Sequence, residues 1–466
     1  MKFACFLLPV TLIGLCGCGP HSSFSLNPLP LPTDWKNASH FPVASPAKDL
    51  SRWWNRFDDP TLSRIISQSL QNSPDMVSAA ARIRESRARR NSAAASLFPS
   101  LSGDASANSR TTKRDGTANA SDTSYSAGLN ASWEVDLFGK NRSTVEAASA
   151  RLGASEENFH SVQAALASEI AIAYTNLRVD EASLEVLHST VKSREETNQL
   201  ASWRTQSGEA DSLESSQSLS SLEQARAAVP ALEQAIAQGK NLLTLLAGQA
   251  PGALDGMLAS GKQAIPNPAR SLAVGIPADT LRQRPDVRIA GYQLLAAAAS
   301  TRAADAERYP SLNLSGSLGL NSLSSGKLFN PQTATAGVIA GISSPIFDAG
   351  RIRADIEAAS AVEEQAWQAY RATVLTALSE VEDSLIACRR TTERMETLEK
   401  AAAAAREADQ LARQSYQAGI TDILTVLDSQ RSLLGLEDSL FNIRADRAIA
   451  FIQLYKALGG GWSAGS

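Results

Sequence analysis

The feature that most constrains this chain is a repeat at a constant offset of 211 residues: Gly208 returns as Gly419 and Gly248 as Gly459. At the same offset Pro74-Asp75 returns as Pro285-Asp286, and Pro99-Ser100-Leu101 as Pro310-Ser311-Leu312. Gly139 and Arg142 match Gly350 and Arg353, and Gln206, Asp211 and Leu213 match Gln417, Asp422 and Leu424. The offset holds without a gap over roughly 175 residues, far beyond a solenoid unit of about 20–50 residues. The chain is a duplicated domain, so each copy can be read against the other.

Each copy opens with a helix of about 23 residues after Pro-Asp, where aspartate suits a helix start. Two alternating runs follow. In the first copy Leu101, Gly103, Ala105 and Ala107 oppose Ser102, Asp104 and Ser106. Further on, Tyr125, Ala127, Leu129, Ala131, Trp133, Val135 and Leu137 oppose Ser126, Gly128, Asn130, Ser132, Glu134 and Asp136. The second copy alternates likewise around Leu312–Leu320 and Ala334–Ile342. Period 2 predicts strands at about 100–110, 124–137, 311–321 and 333–346, each with one apolar and one polar face. Segments of about ten such residues are what a membrane-spanning β-barrel requires. A half-buried soluble sheet is the alternative.

The period then changes. From Ser143 to Ser207 and from Ala354 to Ala418 the chain has no proline and almost no glycine. Helices of that length reach ~95 Å at about 1.5 Å per residue. Gly208 and Gly419 supply turns, because glycine tolerates the left-handed conformation at a helix end. Return helices of about 39 residues run to Gly248 and Gly459, and the first contains Pro230, which is expected to bend it. A short helix plus a return helix nearly matches the long helix in length. Each copy thus reads as helix–strand–strand–helix–helix, with one long helix beside two shorter ones. The linker at 249–284, with Pro266-Asn267-Pro268, is expected to pack beside the N-terminal segment near the middle of the helices.

Alanine-rich stretches and only 6% aromatic residues favour closely packed helices over one large core. The formal charge of −4, with both signs mixed along the helices, points to no nucleic-acid partner. Three of the four cysteines (Cys5, Cys16, Cys18) lie near the start and Cys388 sits mid-helix as a small core residue, so no disulfide framework is expected. His21, His40, His160 and His188 show no ligand spacing, and no nucleophile, phosphate loop or metal motif appears. Neither an enzyme nor a cofactor is expected. Glu134 and Asp136 read either as lumen-facing groups near the base of a barrel or as ordinary solvated positions.

A barrel in lipid can have no open edge, because unpaired backbone groups there cost several kcal/mol each. Four strands cannot close, the small limit being about eight. If this chain enters the membrane it must share its barrel with copies of itself: a dimer gives eight strands, a trimer twelve.

At the N-terminus Lys2 precedes an apolar stretch, Phe3–Leu15, too short to span a bilayer. It ends in Leu15-Cys16-Gly17-Cys18, which resembles a bacterial lipobox, in which the chain is cut before a cysteine that is then lipidated. That resemblance implies Cys18 as the acylated mature N-terminus. Gly19 in place of aspartate points to the outer membrane.

Five further segments carry a wider resemblance. They are Phe57-Asp58-Asp59-Pro60, Trp133-Glu134-Val135-Asp136-Leu137-Phe138-Gly139, Arg282-Gln283-Arg284-Pro285-Asp286, Pro345-Ile346-Phe347-Asp348-Ala349-Gly350-Arg351 and Leu427-Asp428-Ser429-Gln430-Arg431. In order and across the mature chain they resemble the outer membrane efflux protein family, in the lipoprotein (NodT-type) branch of the TolC-like factors. The resemblance implies a mainly α protein with a membrane β-barrel. It would be a homotrimer with a 12-stranded barrel in the outer membrane, continuous with a long periplasmic α-helical barrel. Its partners would be a periplasmic membrane-fusion adaptor, an inner-membrane pump of the resistance-nodulation-division (RND) class, and outer membrane lipid.

The implied function is the passive exit duct of a tripartite efflux pump for drugs and other small molecules. A channel for type I protein secretion shares the architecture and is the alternative, and a trimeric coiled-coil adhesin would instead need strands at a single end of the chain. The implied division is a signal peptide (1–17), a lipidated tether and equatorial segment (18–72), a first repeat (73–248), an equatorial linker (249–284), a second repeat (285–459) and a tail (460–466). Gly208 and Gly419 mark the far periplasmic tips.

Leu424, Asp428 and Arg431 stand at i, i+4 and i+7, on one helical face. In related channels a leucine, an aspartate and an arginine so spaced line the closed periplasmic constriction. That role is carried over to Leu424, Asp428 and Arg431, with Tyr416 as a latch between neighbouring helix pairs. The first copy keeps Leu213 but has Gln217 and Ser220 where the charges stand, so the second copy alone would supply the gate.

Overall fold

The computed structural model describes residues 32–38, 50–112, 120–261, 264–268 and 277–462. Cys18, the leader and most of the tether lie outside them.

A short helix α1 (Pro60–Asn72) precedes the first copy, which comprises α2 (Pro74–Ala95), β1 (Ser100–Thr112), β2 (Ala120–Val135), α3 (Lys140–Gln206) and α4 (Ser212–Leu246). Two short helices, α5 (Asp255–Ser260) and α6 (Pro277–Gln283), lead to the second copy. That copy comprises α7 (Pro285–Ala306), β3 (Ser311–Ser322), β4 (Ala334–Ser343), α8 (Arg351–Gln417) and α9 (Ile423–Ala457). Both ends of α2, α3 and α4 reappear 211 residues later as the ends of α7, α8 and α9. Local chemistry explains this. Gly139 and Gly350, Gly208 and Gly419, and Gly248 and Gly459 all take positive φ, which only glycine adopts without strain. Asp211 and Asp422 cap α4 and α9 by accepting from Glu214 N and Thr425 N, each at 3.0 Å.

The starts of the two long helices and the ends of β2 and β4 differ from the sequence expectation for physical reasons. The long helices begin at Lys140 and Arg351 because carboxylates upstream satisfy their free N–H groups. Asp136 accepts from Asn141 N and Arg142 N at 3.1 and 2.9 Å, and Asp348 accepts from Gly350 N and Ile352 N at 2.9 and 2.8 Å. Asp136 is therefore a helix cap beyond the end of β2, not a strand residue. β4 stops at Ser343, just before Pro345, which has no N–H to donate to a ladder. Helix α4 continues through Pro230 and is not ended by it.

The chain forms two compact units. One contains Arg87–Ala150 and Leu295–Gln365 and holds all four strands, in the antiparallel order β1-β2-β3-β4. One face carries Ser102, Asn130 and Ser317 in register. The other carries Gly103, Leu129, Leu318 and Ala336. The apolar rows are exposed, with Leu129, Leu318, Val338 and Ile342 uncovered. In water such a face is a liability; in lipid it is the stable side.

The other unit contains Leu31–Ser86, Arg151–Leu294 and Ala366–Ser466 and holds the main core. Trp35, Trp53, Trp54, Phe57, Leu62, Ile65 and Ile66 pack against Ile170, Tyr174 and Leu177 of α3, Leu243 of α4, Leu385 of α8, and Phe451 and Tyr455 of α9. Trp53 stacks on Tyr455 with centroids 5.9 Å apart. The linker joins this core through Leu254 and Leu258, and the buried Arg178 donates to Leu258 O at 3.1 Å. Pro268 O and Asn267 Oδ1 accept from Arg447. Arg284 gives the motif at the start of α7 its meaning: it donates to Ala457 O at 2.9 Å and pairs with Asp286 and Glu380, each at 2.6 Å. One guanidinium thereby ties the first turn of α7 to α8 and to the end of α9. Among the described residues no helix is long and apolar enough to cross a membrane.

Candidate functional site

The site is built at the two turns that join long and return helices. At the first, Glu209 N donates to Arg204 O at 2.9 Å; at the second, Ile420 N donates to Ser415 O at 2.9 Å. These bonds close each long helix over a left-handed glycine. The left-handed glycine and this closing bond recur in both copies, and the side chains around them differ.

Tyr416, in the last turn of α8, is buried, and its phenol donates to the Glu214 carboxylate on α4. Arg204 of α3 lies over the Tyr416 ring at 4.9 Å and approaches Glu214 at 3.9 Å. Burial, reinforced by the Glu214 charge, pushes the phenol up to about 12, so it stays protonated and a donor. Around it pack Ala412, Ile423, Val426, Leu427 and Leu200. Two further ties join the helix pairs above this point. Arg413 pairs with the buried Asp409 and donates to Ser193 Oγ at 2.8 Å, and Gln430 Nε2 reaches Ser193 Oγ and Thr197 Oγ1, each at 3.3 Å.

The other three predicted residues occupy a different face. Leu424 is 53% exposed, and Asp428 and Arg431 form an i,i+3 pair at 3.6 Å whose side chains are 82% and 77% exposed. The structure thus brings Asp428 and Arg431 together and places Tyr416 in a separate, buried cluster. In one chain the charged pair is a solvated contact worth about 0–1 kcal/mol. Any larger role requires other charges facing it.

Sequence reasoning missed Glu214, Arg204, Arg413, Asp409 and Gln430. A signal existed, because the copies disagree at each. Tyr416 matches Thr205, Glu214 matches Thr425, Arg413 matches Ser202 and Asp409 matches Asn198. Asn198 accepts a hydrogen bond from Ser218 Oγ at 2.9 Å, so the first copy ties its own two helices at the level where the second reaches across.

Residues 65–249 and 276–460, one stretch for each copy, both match the family described as outer membrane efflux protein. The chain belongs to that family. As an outer membrane efflux protein it is 32% identical to the pyoverdine export outer membrane protein OpmQ of Pseudomonas aeruginosa, over 99% of this chain and 97% of that one. It is 33% identical to the solvent efflux pump outer membrane protein SrpC of Pseudomonas putida, over 99% of both. Among solved structures, the outer-membrane channel OprN superposes with a TM-score of 0.86 at 30% identity, covering 93% of this chain and 98% of that one. The duplicated, mostly helical architecture of this efflux protein is that of an outer-membrane channel.

Proposed function

We propose that this chain is the exit duct of a tripartite efflux pump in the bacterial outer membrane. In this reading three copies close a 12-stranded barrel, and their helices extend it as a tunnel into the periplasm. There a membrane-fusion adaptor links it to an inner-membrane RND pump that supplies the energy. Cys18 carries the lipid anchor. The substrates are drugs and other small molecules, in line with the solvent and pyoverdine systems in which its relatives are named.

The observation that carries this reading is the sheet. Four strands end in two outer edges, β1 and β4, with no strand paired to them among the described residues, and one face is an exposed apolar band. Such a sheet is stable in lipid only when closed by further strands. The duct itself has only to stay shut at rest, which the tip supports. The Tyr416, Arg413 and Gln430 ties hold the α8–α9 pair against α3–α4, while Leu424, Asp428 and Arg431 line the constriction. Identical carboxylates gathered on a symmetry axis repel one another unless arginines offset them, so a gate held by polar links opens when an adaptor replaces those links.

Deletion of the gene should raise cellular retention of an efflux dye, re-expression should restore export, and the purified protein should form pores in planar bilayers. A deletion strain that retains no extra dye, together with a protein that forms no pores, would sink the reading.

A further inference from the structure

Resting on the oligomeric reading above, we propose that the seam between neighbouring copies repeats the register of the seam between β2 and β3 inside one chain. Ser100 pairs with Ser132 and Leu101 with Ala131; 211 residues later Ser311 pairs with Ser343 and Leu312 with Ile342. The duplication has therefore kept the register of each hairpin without a slip. Between the hairpins, β2 and β3 form the strand seam between the two copies of the repeat, with Ala127 opposite Leu320, Leu129 opposite Leu318, Ala131 opposite Gly316 and Val135 opposite Leu312. The edges left over, β4 and β1, are the duplicates of β2 and β3.

Moving each β2 residue forward and each β3 residue back by 211 assigns the contact between chains. Val338 falls opposite Ser109 of the second copy, Ala340 opposite Ala107, Ile342 opposite Ala105 and, past the end of the ladder, Ile346 opposite Leu101. The polar face follows, with Gly341 opposite Ser106 and Ile339 opposite Asn108. Parity is preserved: residues on the apolar face of β4 meet residues on the apolar face of β1, which a one-residue slip would reverse.

Exposure gives independent support. Val135 and Leu312 are half-buried at the internal seam, whereas their duplicates Ile346 and Leu101 are 98% and 71% exposed. At this end of the sheet the apolar pair is half-buried where the chain supplies its own neighbour and bare where it does not. A second copy in the duplicated register covers both.

The test is oxidative cross-linking of the full chain in outer membranes, using copper phenanthroline and non-reducing gels. Directly opposed Cβ atoms lie within disulfide reach, and positions four residues off do not. Ala340→Cys with Ala107→Cys, and Gly341→Cys with Ser106→Cys, should give covalent multimers that reduction returns to single chains. Ala340→Cys with Gly103→Cys or with Thr111→Cys should stay uncross-linked. Bridging through a shifted pair, or no bridge by either in-register pair while native size shows an intact oligomer, would overturn the register. A chain that runs as a monomer in mild detergent would overturn the oligomer itself.

Discussion

The Tyr416 phenol donates to the Glu214 carboxylate, so a residue at the end of α8 is tied directly to the first turn of α4. The two sit in different copies of the repeat, and neither is matched by its own duplicate, which is threonine in both cases. The bond therefore belongs to the asymmetry of the chain and not to its shared frame.

Tyr416→Phe should loosen the resting tip. A buried hydrogen bond to a charged acceptor contributes about 1.5–3 kcal/mol, so the closed state should lose roughly ten- to a hundredfold in population. Single-channel recordings should show higher conductance and shorter closed times. Wild-type behaviour would show that Arg413 and Gln430 hold the tip without it.

Asp428→Ala with Arg431→Ala separates gating from stability. Both side chains are largely exposed, so thermal unfolding should shift by no more than about 0.5 kcal/mol. We predict that conductance nevertheless rises, because the carboxylates would act across the pore axis and not within one chain. Unchanged conductance and closed times would remove these residues from the gate.

Asp59→Ala should destabilise the core. Its Oδ1 caps α1 by accepting from Thr61 N at 2.9 Å and Leu62 N at 3.0 Å, and its Oδ2 accepts from Tyr174 Oη at 2.8 Å. Loss of the cap costs about 1 kcal/mol, and a buried phenol without a partner costs about 1–3 kcal/mol more. Calorimetry should show a lower melting temperature, with partial recovery in Asp59→Asn, which keeps the acceptor. A melting temperature equal to wild type would show that the cap and the tyrosine find other partners.

His160 should make stability fall with acid. Its ring stacks on Trp462 at 4.4 Å, and burial, followed by the nearby Arg288 charge, lowers its pKa, while Gln163 and Glu156 oppose this. The unfolded chain then binds a proton before the folded one. The contribution is full above the unfolded value of about 6.5 and declines as pH falls toward the folded value. Glu157, raised by burial against the pull of Arg288, has the opposite sign and gains as it protonates. Comparing melting temperatures of wild type and His160→Gln between about pH 7.5 and pH 5.5 isolates the histidine. Parallel curves would refute its role.

Much of the frame was legible in the sequence. Glycines fixed the turns at Gly208 and Gly419, Pro-Asp marked the starts of α2 and α7, and alternation found β1 to β4. Strand ends were less legible: Asp136 alternates like a strand residue, yet its carboxylate satisfies the start of α3. For the site, spacing alone put Leu424, Asp428 and Arg431 on one face. It could not show that Tyr416 is buried away from them, because that depends on which helix covers it.

The sequence by itself determined the duplication, the approximate lengths of the helices with the glycine turns between them, and the two faces of the strands. These follow from local signals, since caps, left-handed glycines and side-chain period act within a few residues. Only the tertiary structure decided that Tyr416 meets Glu214, that Arg284 gathers α7, α8 and α9, and that β2 pairs with β3 in a fixed register. Those contacts join residues far apart in the chain, and packing chooses them among many partners that local chemistry leaves equivalent.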